Sequence, residues 1–392
     1  MKVLYLNHTG QVSGAERSLL DLLEGVPRDV PAGVACPPGP LASAVRRLGL
    51  PVASVDGTVG SFRLHAWHTP RAAVDVVRSA FVVRRLAQRS GANLVHANSV
   101  RAGLIATLAR RLGGPPVVVH VRDCLPPGGA SHLARRLLGR GAAMILANSR
   151  YTAARFADGA PLANVRTVYN PVDLARFDPD RIARATARAN LGLGEDDGPV
   201  LGVIAQLTPW KGQDDAIRIL ARVRATRPGA RLLLVGEAKF TSAATRYDNV
   251  AYERTLNDLA RELGVADAVA SLGERADVPE ILRALDVLLV PSWEEPFGRV
   301  VIEAMAMGTP VVATNVGGPA EIITSGEDGF VLPPRQPDRW AETVARLTAL
   351  PVRTAELASR AQRRARTHFG RDVHVAAVLD AYRDTERRVR AA

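Results

Sequence analysis

Glu295 and Glu303 stand eight positions apart, one in the loop after a strand-like run and the other in the helix that follows. The run is DVLLVPS (286–292), the loop is WEEP (293–296), and FGRVVIEAMAM (297–307) follows. The stretch VVIEAMAM is apolar on nearly every face, so it must be buried between neighbours. Glu303 is its only interior charge, and a buried carboxylate without a partner costs several kcal/mol. It therefore needs donors. The diol of a ribose would supply them, and so would a neighbouring arginine or backbone amide. Glu295, in the loop before the helix, is placed to accept from the hydroxyls of a sugar. The N–H groups of Phe297, Gly298 and Arg299 at the helix start favour an anion.

A cation stands at a second strand end. Only three of the 51 basic residues are lysines: Lys2, Lys211 and Lys239. Lys211 lies in the loop AQLTPWKG (205–212) after an apolar run, where an ammonium neutralises a diphosphate. A solvated loop lysine is the plain alternative. A third constellation is Ser13-Gly14-Ala15-Glu16. Serine followed three residues later by glutamate is a capping box, so a helix starts there. Gly14 lets the backbone approach a ligand closely, and the amides of the first turn suit a phosphate. An ordinary strand-to-helix turn fits the same residues. The GxGxxG spacing of a dinucleotide site is absent.

These residues require strands that end where loops carry the chemistry. The first half predicts strands near Val3–Asn7, Leu94–His96, Pro116–Val121 and Met144–Asn148. Helices lie between them, such as Gly14–Gly25 and Arg71–Arg89. The second half predicts strands near Val200–Leu207, Arg231–Gly236, Ala268–Leu272, Asp286–Pro291, Pro310–Thr314 and Gly329–Leu332. Continuous apolar runs such as LLLVG and DVLLVP belong to parallel strands buried on both faces. Strand–helix alternation gives right-handed βαβ units and a doubly wound sheet. The pattern occurs twice, with a Pro-, Asp- and Arg-rich stretch at Asn170–Pro199 between the halves. The expectation is an α/β protein of two Rossmann-like domains, 1–175 and 176–371, facing across a cleft. An amphipathic C-terminal helix of about 372–392 would pack back on the first domain.

Bulk properties narrow the class. The 392 residues are 47% hydrophobic and 23% charged, which is ordinary for a globular protein. No apolar run approaches the ~20 residues of a membrane-spanning helix. The start, MKVLYLNHTG, has no signal-peptide core. Cys36 and Cys124 make neither a disulfide framework nor a metal site by themselves. A cytoplasmic protein is expected, with peripheral contact at the inner face of the membrane as an open alternative. The net charge of +12 invites a nucleic-acid reading, but scattered arginines with few interleaved aromatics do not form a nucleic-acid groove. The arginine-rich stretches Arg78–Arg89 and Ala134–Arg140 fit either an anionic membrane surface or a solvated face. No DxD motif ends a strand. Asp214-Asp215 lie in a predicted helix and Asp196-Asp197 in the hinge, both expected at the solvated surface, so no metal is expected.

The spacing in EPFGRVVIE (295–303) resembles the donor-site signature of the retaining GT-B glycosyltransferases of family four, the glycosyl transferases group 1. SGAE (13–16), VHANS (95–99), VHVRD (119–123), VYNPVDLARF (168–177), LTPWKG (207–212), LGERADVPEIL (272–282) and GTPVVATNVGGPAEII (308–323) match in order. The resemblance spans nearly the whole chain and is most specific in its second half. It implies a transferase moving a sugar, with retention, from a nucleoside-diphosphate sugar, UDP being the commonest base. The acceptor would be a glycan, a glycolipid or a small molecule. Lys211 would bind the diphosphate, Glu295 the transferred sugar and Glu303 the ribose. Backbone amides at Gly14 and Ala15 and at Phe297–Arg299 would line the diphosphate, with Arg275 toward the base.

Two positions depart from the family pattern. Gln206 stands where an arginine is usual, which removes one cation of the phosphate clamp. Arg122 stands before Asp123, where the family often has a histidine before an acidic residue, and His120 lies two positions earlier. His120 and Arg122 share one strand face. His120 is expected to face the sugar. Arg122 and Asp123 are acceptor-side candidates, and Arg122 is also a candidate to replace the lost cation. A nucleotide-sugar epimerase and a non-catalytic nucleotide-sugar binder are the rival readings of the same architecture.

Overall fold

The computed structural model describes residues 1–55, 69–157, 164–194, 197–238 and 247–391. Asp196 of the expected hinge and Lys239 lie outside the described residues. The chain forms two units, Met1–Pro171 with Arg371–Ala392, and Val172–Gly370.

In the first unit the strands are β1 (Val3–Leu6), β2 (Pro31–Cys36), β3 (Val52–Ser54), β4 (Leu94–Ala97), β5 (Val117–Val121), β6 (Met144–Ala147) and β7 (Val165–Thr167). They pair in parallel in the order β3-β2-β1-β4-β5-β6-β7. The helices are α1 (Gly14–Gly25), α2 (Pro40–Arg47), α3 (Thr69–Ser90), α4 (Val100–Arg111), α5 (Gly129–Gly141) and α6 (Arg150–Ala157). One side of the sheet buries Val95, Val117, Val119 and Val121 under Ala80, Val83, Ile105 and Leu138 of α3, α4 and α5. The other side buries Tyr5, Leu94 and Val118 under α1 and α2. There the C-terminal helix of the chain, Arg371–Ala391, adds Val378, Ala381 and Tyr382.

The second unit opens with α7 (Arg184–Ala189). It has strands β8 (Val200–Ile204), β9 (Arg231–Val235), β10 (Val269–Ser271), β11 (Val287–Val290), β12 (Val311–Thr314) and β13 (Phe330–Leu332), again all parallel, in the order β10-β9-β8-β11-β12-β13. Its other helices are α8 (Gln213–Arg224), α9 (Asn249–Glu262), α10 (Val278–Ala284), α11 (Arg299–Ala306), α12 (Pro319–Ile322), α13 (Pro337–Ala349) and α14 (Pro351–His368). The C-terminal helix of the first unit is α15.

Two sequence expectations change. Most of Asn170–Pro199 is not linker. Arg184 and Arg188 of α7 reach Asp286 at 2.8 and 3.3 Å, which ties this stretch to the start of β11. Asp214 and Asp215 are not solvated. Tyr252 of α9 donates to Asp214 at 3.0 Å, and Asp215 is buried. Burial and the Asp214 charge push the Asp215 carboxyl up to about 6, against the opposing pull of Arg335.

Each sheet reverses its winding at one place, between β1 and β4 and between β8 and β11. Ligands of such sheets bind beyond the C-terminal strand ends at that switch point.

Candidate active site

In the second unit the switch point carries Lys211 and Glu295. Lys211 ends a 3-10 turn, Pro209–Lys211, after β8. Gly212 follows with φ +72, and a Cβ there would lie 2.3 Å from the Pro291 carbonyl oxygen. Only glycine lets the loop after β8 touch the end of β11 this closely. The Lys211 Nζ thereby lies 2.5 Å from Glu295 Oε2. Ser292 Oγ donates to the same oxygen at 3.2 Å, and Nζ lies 4.1 Å above the centre of the Trp210 ring. Side-chain exposure is 16% for Lys211 and 10% for Glu295, so the charges meet in a medium less polar than water. Ile204, Pro291 and Val300 complete a small pocket around them.

The segment after β12 clamps the Glu295 loop. The Glu295 N–H donates to Val316 O at 3.0 Å, and Gly318 N–H donates to Glu295 O at 2.9 Å. Gly317, at φ +120, passes so near that a Cβ would lie 2.0 Å from the Glu295 carbonyl oxygen. Gly298 (φ +91) then caps α11. Phe297 is buried, its ring edge-on to Phe369 with centroids 6.3 Å apart. Glu303, one turn into α11, keeps 12% side-chain exposure and lies 3.5 Å from Arg299. The arginine thus partly satisfies a carboxylate that the sequence required to be satisfied. The Gln206 backbone carbonyl accepts from Gln213 Nε2 at 2.8 Å, which holds the loop after β8. Arg275 stands apart, following edge strand β10 and paired with Asp277 at 2.5 Å on a half-exposed loop.

In the first unit the switch point is lined by amides and imidazoles. The capping box at Ser13 and Glu16 forms, and Gly14 and Ala15 open α1 as the sequence predicts. Asn7 Nδ2 donates to Glu16 Oε1 at 3.2 Å, and Asn98 Nδ2 donates to Asn7 Oδ1 and to Ala15 O at 3.0 and 3.2 Å. Arg122, at the end of β5, donates from Nε to Asn98 Oδ1 at 2.9 Å and from a terminal nitrogen to Asn170 Oδ1. Its other terminal nitrogen lies 3.2 Å from His120 Nδ1. His120 and Arg122 therefore do share a face. The expectation that His120 faces a sugar is not what this unit presents. The ring has no exposed surface and lies between His96 and His374, at centroid distances of 5.5 and 6.1 Å. Arg122 is the more outward of the two. Burial above all, then the Arg122 charge, holds both His96 and His120 far below the ordinary imidazole range. His8, at the end of β1, lies 2.9 Å from Ser99 Oγ. Burial and Arg101 bring it to about 4. Asp123 is exposed, and its charge acts on Arg101 of α4.

Comparison with known proteins agrees with this architecture. Residues 185–368 match the model of the glycosyl transferases group 1, and residues 12–176 match that of glycosyltransferase family 4. A D-inositol 3-phosphate glycosyltransferase of Saccharomonospora viridis is 34% identical over 74% of this chain and 70% of its own length. The chain belongs to the family 4 glycosyltransferases, the glycosyl transferases group 1. A similarly named protein of Stackebrandtia nassauensis is 39% identical, over 48% of this chain and 45% of its own length, so that match spans less than half of either. Among solved structures, Anabaena HepE in complex with UDP-glucose superposes with a TM-score of 0.83 at 26% identity, over 98% of this chain and all of that one. The fold is the GT-B fold of these glycosyltransferases.

Sequence reasoning missed the residues that support the site: Ser292, Trp210, Gly212, Gly317 and, in the first unit, Asn98 and Asn170. NVGGPAEI carried a signal in its paired glycines. The asparagines follow strands but carry no spacing that singles them out.

Proposed function

We propose that this glycosyltransferase moves a sugar, with retention at the anomeric carbon, from a UDP-sugar to an acceptor hydroxyl without a metal ion. The observation that carries the reading is the Lys211–Glu295 ion pair at the switch point, 2.5 Å long and mostly withdrawn from water. Each member has a substitute partner in a nucleotide sugar. The diphosphate replaces the carboxylate on Lys211, and sugar hydroxyls replace the ammonium on Glu295. Glu303 exchanges Arg299 for the ribose diol. The bond from the anomeric carbon to the phosphate oxygen breaks, and the acceptor oxygen bonds to the same face. The acceptor proton passes to the departing phosphate oxygen. Lys211 stabilises the charge that develops there, an effect worth about 3 kcal/mol for one preorganised donor.

UDP is favoured because HepE, similar over nearly the whole chain, was solved with UDP, with UDP and glucose, and with UDP-glucose. The curated relatives are named for D-inositol 3-phosphate, and the first unit places Arg101 in the first turn of α4, after β4, and Arg122 at the end of the neighbouring strand β5. A phosphorylated polyol therefore comes first in the acceptor panel, before glycan and glycolipid acceptors. The test is UDP release from UDP-glucose, UDP-galactose and UDP-N-acetylglucosamine with each acceptor, and the anomeric configuration of the product by NMR. Acceptor-dependent release with an α-linked product is expected. Acceptor-independent conversion to an epimer would assign an isomerase instead. Tight donor binding without turnover would assign a binding protein.

A further inference from the structure

Among the described residues, eleven large hydrophobic side chains are exposed, and six of them lie on two helices of the first unit. Val74, Val77, Phe81 and Val82 stand on α3, and Leu133 and Leu137 on α5, with exposures between 36% and 56%. Phe81 is the only aromatic ring among the eleven. The helices belong to one layer, since α3 and α5 both flank α4 and all three bury their inner faces in the same core. At about 8–10 Å between neighbouring helix axes, the two stripes are about 20 Å apart on one surface.

The charge on that surface is almost all of one sign. Arg78, Arg85 and Arg89 of α3, Arg111 of α4, and Arg136 and Arg140 of α5 are exposed. Asp75 is the only acidic residue in the described parts of the three helices. The spacing interleaves the two chemistries. Val74, Val77 and Phe81 follow helical periodicity alongside Arg78 and Arg85, and Leu133 and Leu137 run beside Arg136 and Arg140. The opposite faces of the helices carry Ala80, Val83, Ala87, Ala134 and Leu138 into the core. The outer apolar residues are therefore surplus to folding.

We propose that the outer face of α3, α4 and α5 docks on an anionic phospholipid membrane. Phe81 and the leucines and valines would enter the headgroup–acyl boundary, and the arginines would pair with lipid phosphates. Long arginine stems lie along apolar surface while their guanidinium heads reach phosphate, bidentately where geometry permits. This is the composition of a helix layer that lies on a membrane, and no helix among the described residues is long and apolar enough to cross one. A second copy of the chain does not fit this face, because two arginine-rich surfaces would repel. Nucleic acid leaves the aliphatic residues without a role. The inference rests on this surface alone and stands or falls separately from the donor chemistry.

The test is co-sedimentation of the full chain with large unilamellar vesicles, either of phosphatidylcholine alone or with about one-third phosphatidylglycerol. Wild-type protein should sediment with the anionic vesicles and lose them at high salt. A basic residue near an anionic surface is worth about fivefold in partitioning, so Arg78→Gln, Arg85→Gln and Arg136→Gln together should weaken it about a hundredfold. Phe81→Ser with Leu137→Ser should also release the protein, now without a change in net charge. Both variants should keep the wild-type melting midpoint and nucleotide binding. Sedimentation equal on neutral and anionic vesicles, or unchanged in either variant, overturns the proposal. So does wild-type protein that binds no vesicle, including protein that binds an immobilised polyanion instead.

Discussion

Lys211 and Glu295 serve as each other's counter-ion, so removing one leaves the other buried with a charge. Lys211→Ala should lower kcat/KM by about 10²–10³ and modestly lower the melting midpoint. Lys211→Arg should restore stability better than rate, because a planar fork does not replace a compact point charge. Paired steady-state kinetics and thermal melts check both. Glu303→Gln acts differently. The proposed ribose contact would be made equally in the ground and transition states, so KM for the donor should rise about tenfold with kcat nearly unchanged. Loss of kcat alone would move Glu303 from binding to chemistry. Excess EDTA should leave turnover within about twofold, because in the proposed mechanism charge on the leaving group is met by Lys211 and helix amides. Complete loss restored by a divalent ion would contradict this. Lys211, Glu295 and Glu303 were legible in the sequence because each is a charge that its surroundings do not explain. Their supports were not. Ser292 and Trp210 look like ordinary loop residues until the chain brings them to the same oxygen and the same ammonium.

The elements hold these residues by close backbone approaches, and one of these can be tested alongside the buried imidazoles. Gly317→Ala puts a Cβ against the Glu295 carbonyl at a φ of +120. About 2 kcal/mol or more of stability should go, and with it most of the donor affinity, measured by thermal melts and calorimetry. Wild-type affinity in the variant would mean that the clamp does not position the loop. The second test is pH. His96 and His120 titrate far below the ordinary imidazole value when folded, so the unfolded chain takes up protons first as pH falls. Their stabilising contribution is complete above the unfolded pKa near 6.5. It then falls by about 1.4 kcal/mol per pH unit for each ring. Melting of the first unit should therefore drop steeply between pH 6.5 and 5, and a flat profile would show that the rings are already charged. The strand pattern was readable from continuous apolar runs, most ends falling within one or two residues. β3 and β7 escaped because VAS and VRT are short, and an edge position demands little hydrophobicity, whereas the interior strand β2 escaped because the proline, glycine and alanines of PAGVAC break up any apolar run. The imidazole row was invisible because its members come from β4, β5 and α15, joined only by folding.

At the scale of the molecule the second unit is one continuous segment with its own core, whereas the first is closed by a helix that follows the second in sequence. Tyr382 of α15 lies 2.7 Å from His96, and His374 lies 2.7 Å from the Tyr169 carbonyl. A fragment of residues 172–370 should fold alone and bind nucleotide, because Lys211, Glu295 and Glu303 all lie within it. Calorimetry of the fragment with UDP checks this, and a folded fragment with no affinity would show that donor binding needs the first unit. The doubly wound architecture followed from strand–helix alternation. The expected division at 175/176 falls four residues past Pro171, where the units divide, but the extent of the hinge was not legible, because most of the Pro- and Arg-rich stretch is fastened to Asp286 by Arg184 and Arg188. Such long-range pairs leave no trace in local composition.

The most direct test of the donor site is thermal stabilisation of wild-type and Glu303→Ala protein by UDP, GDP, ADP and their glucose conjugates. The account predicts a clear rise with UDP and UDP-glucose, little with the purine nucleotides, and loss of the rise in Glu303→Ala. A rise that survives unchanged in Glu303→Ala, or no rise with any of the six, would contradict it.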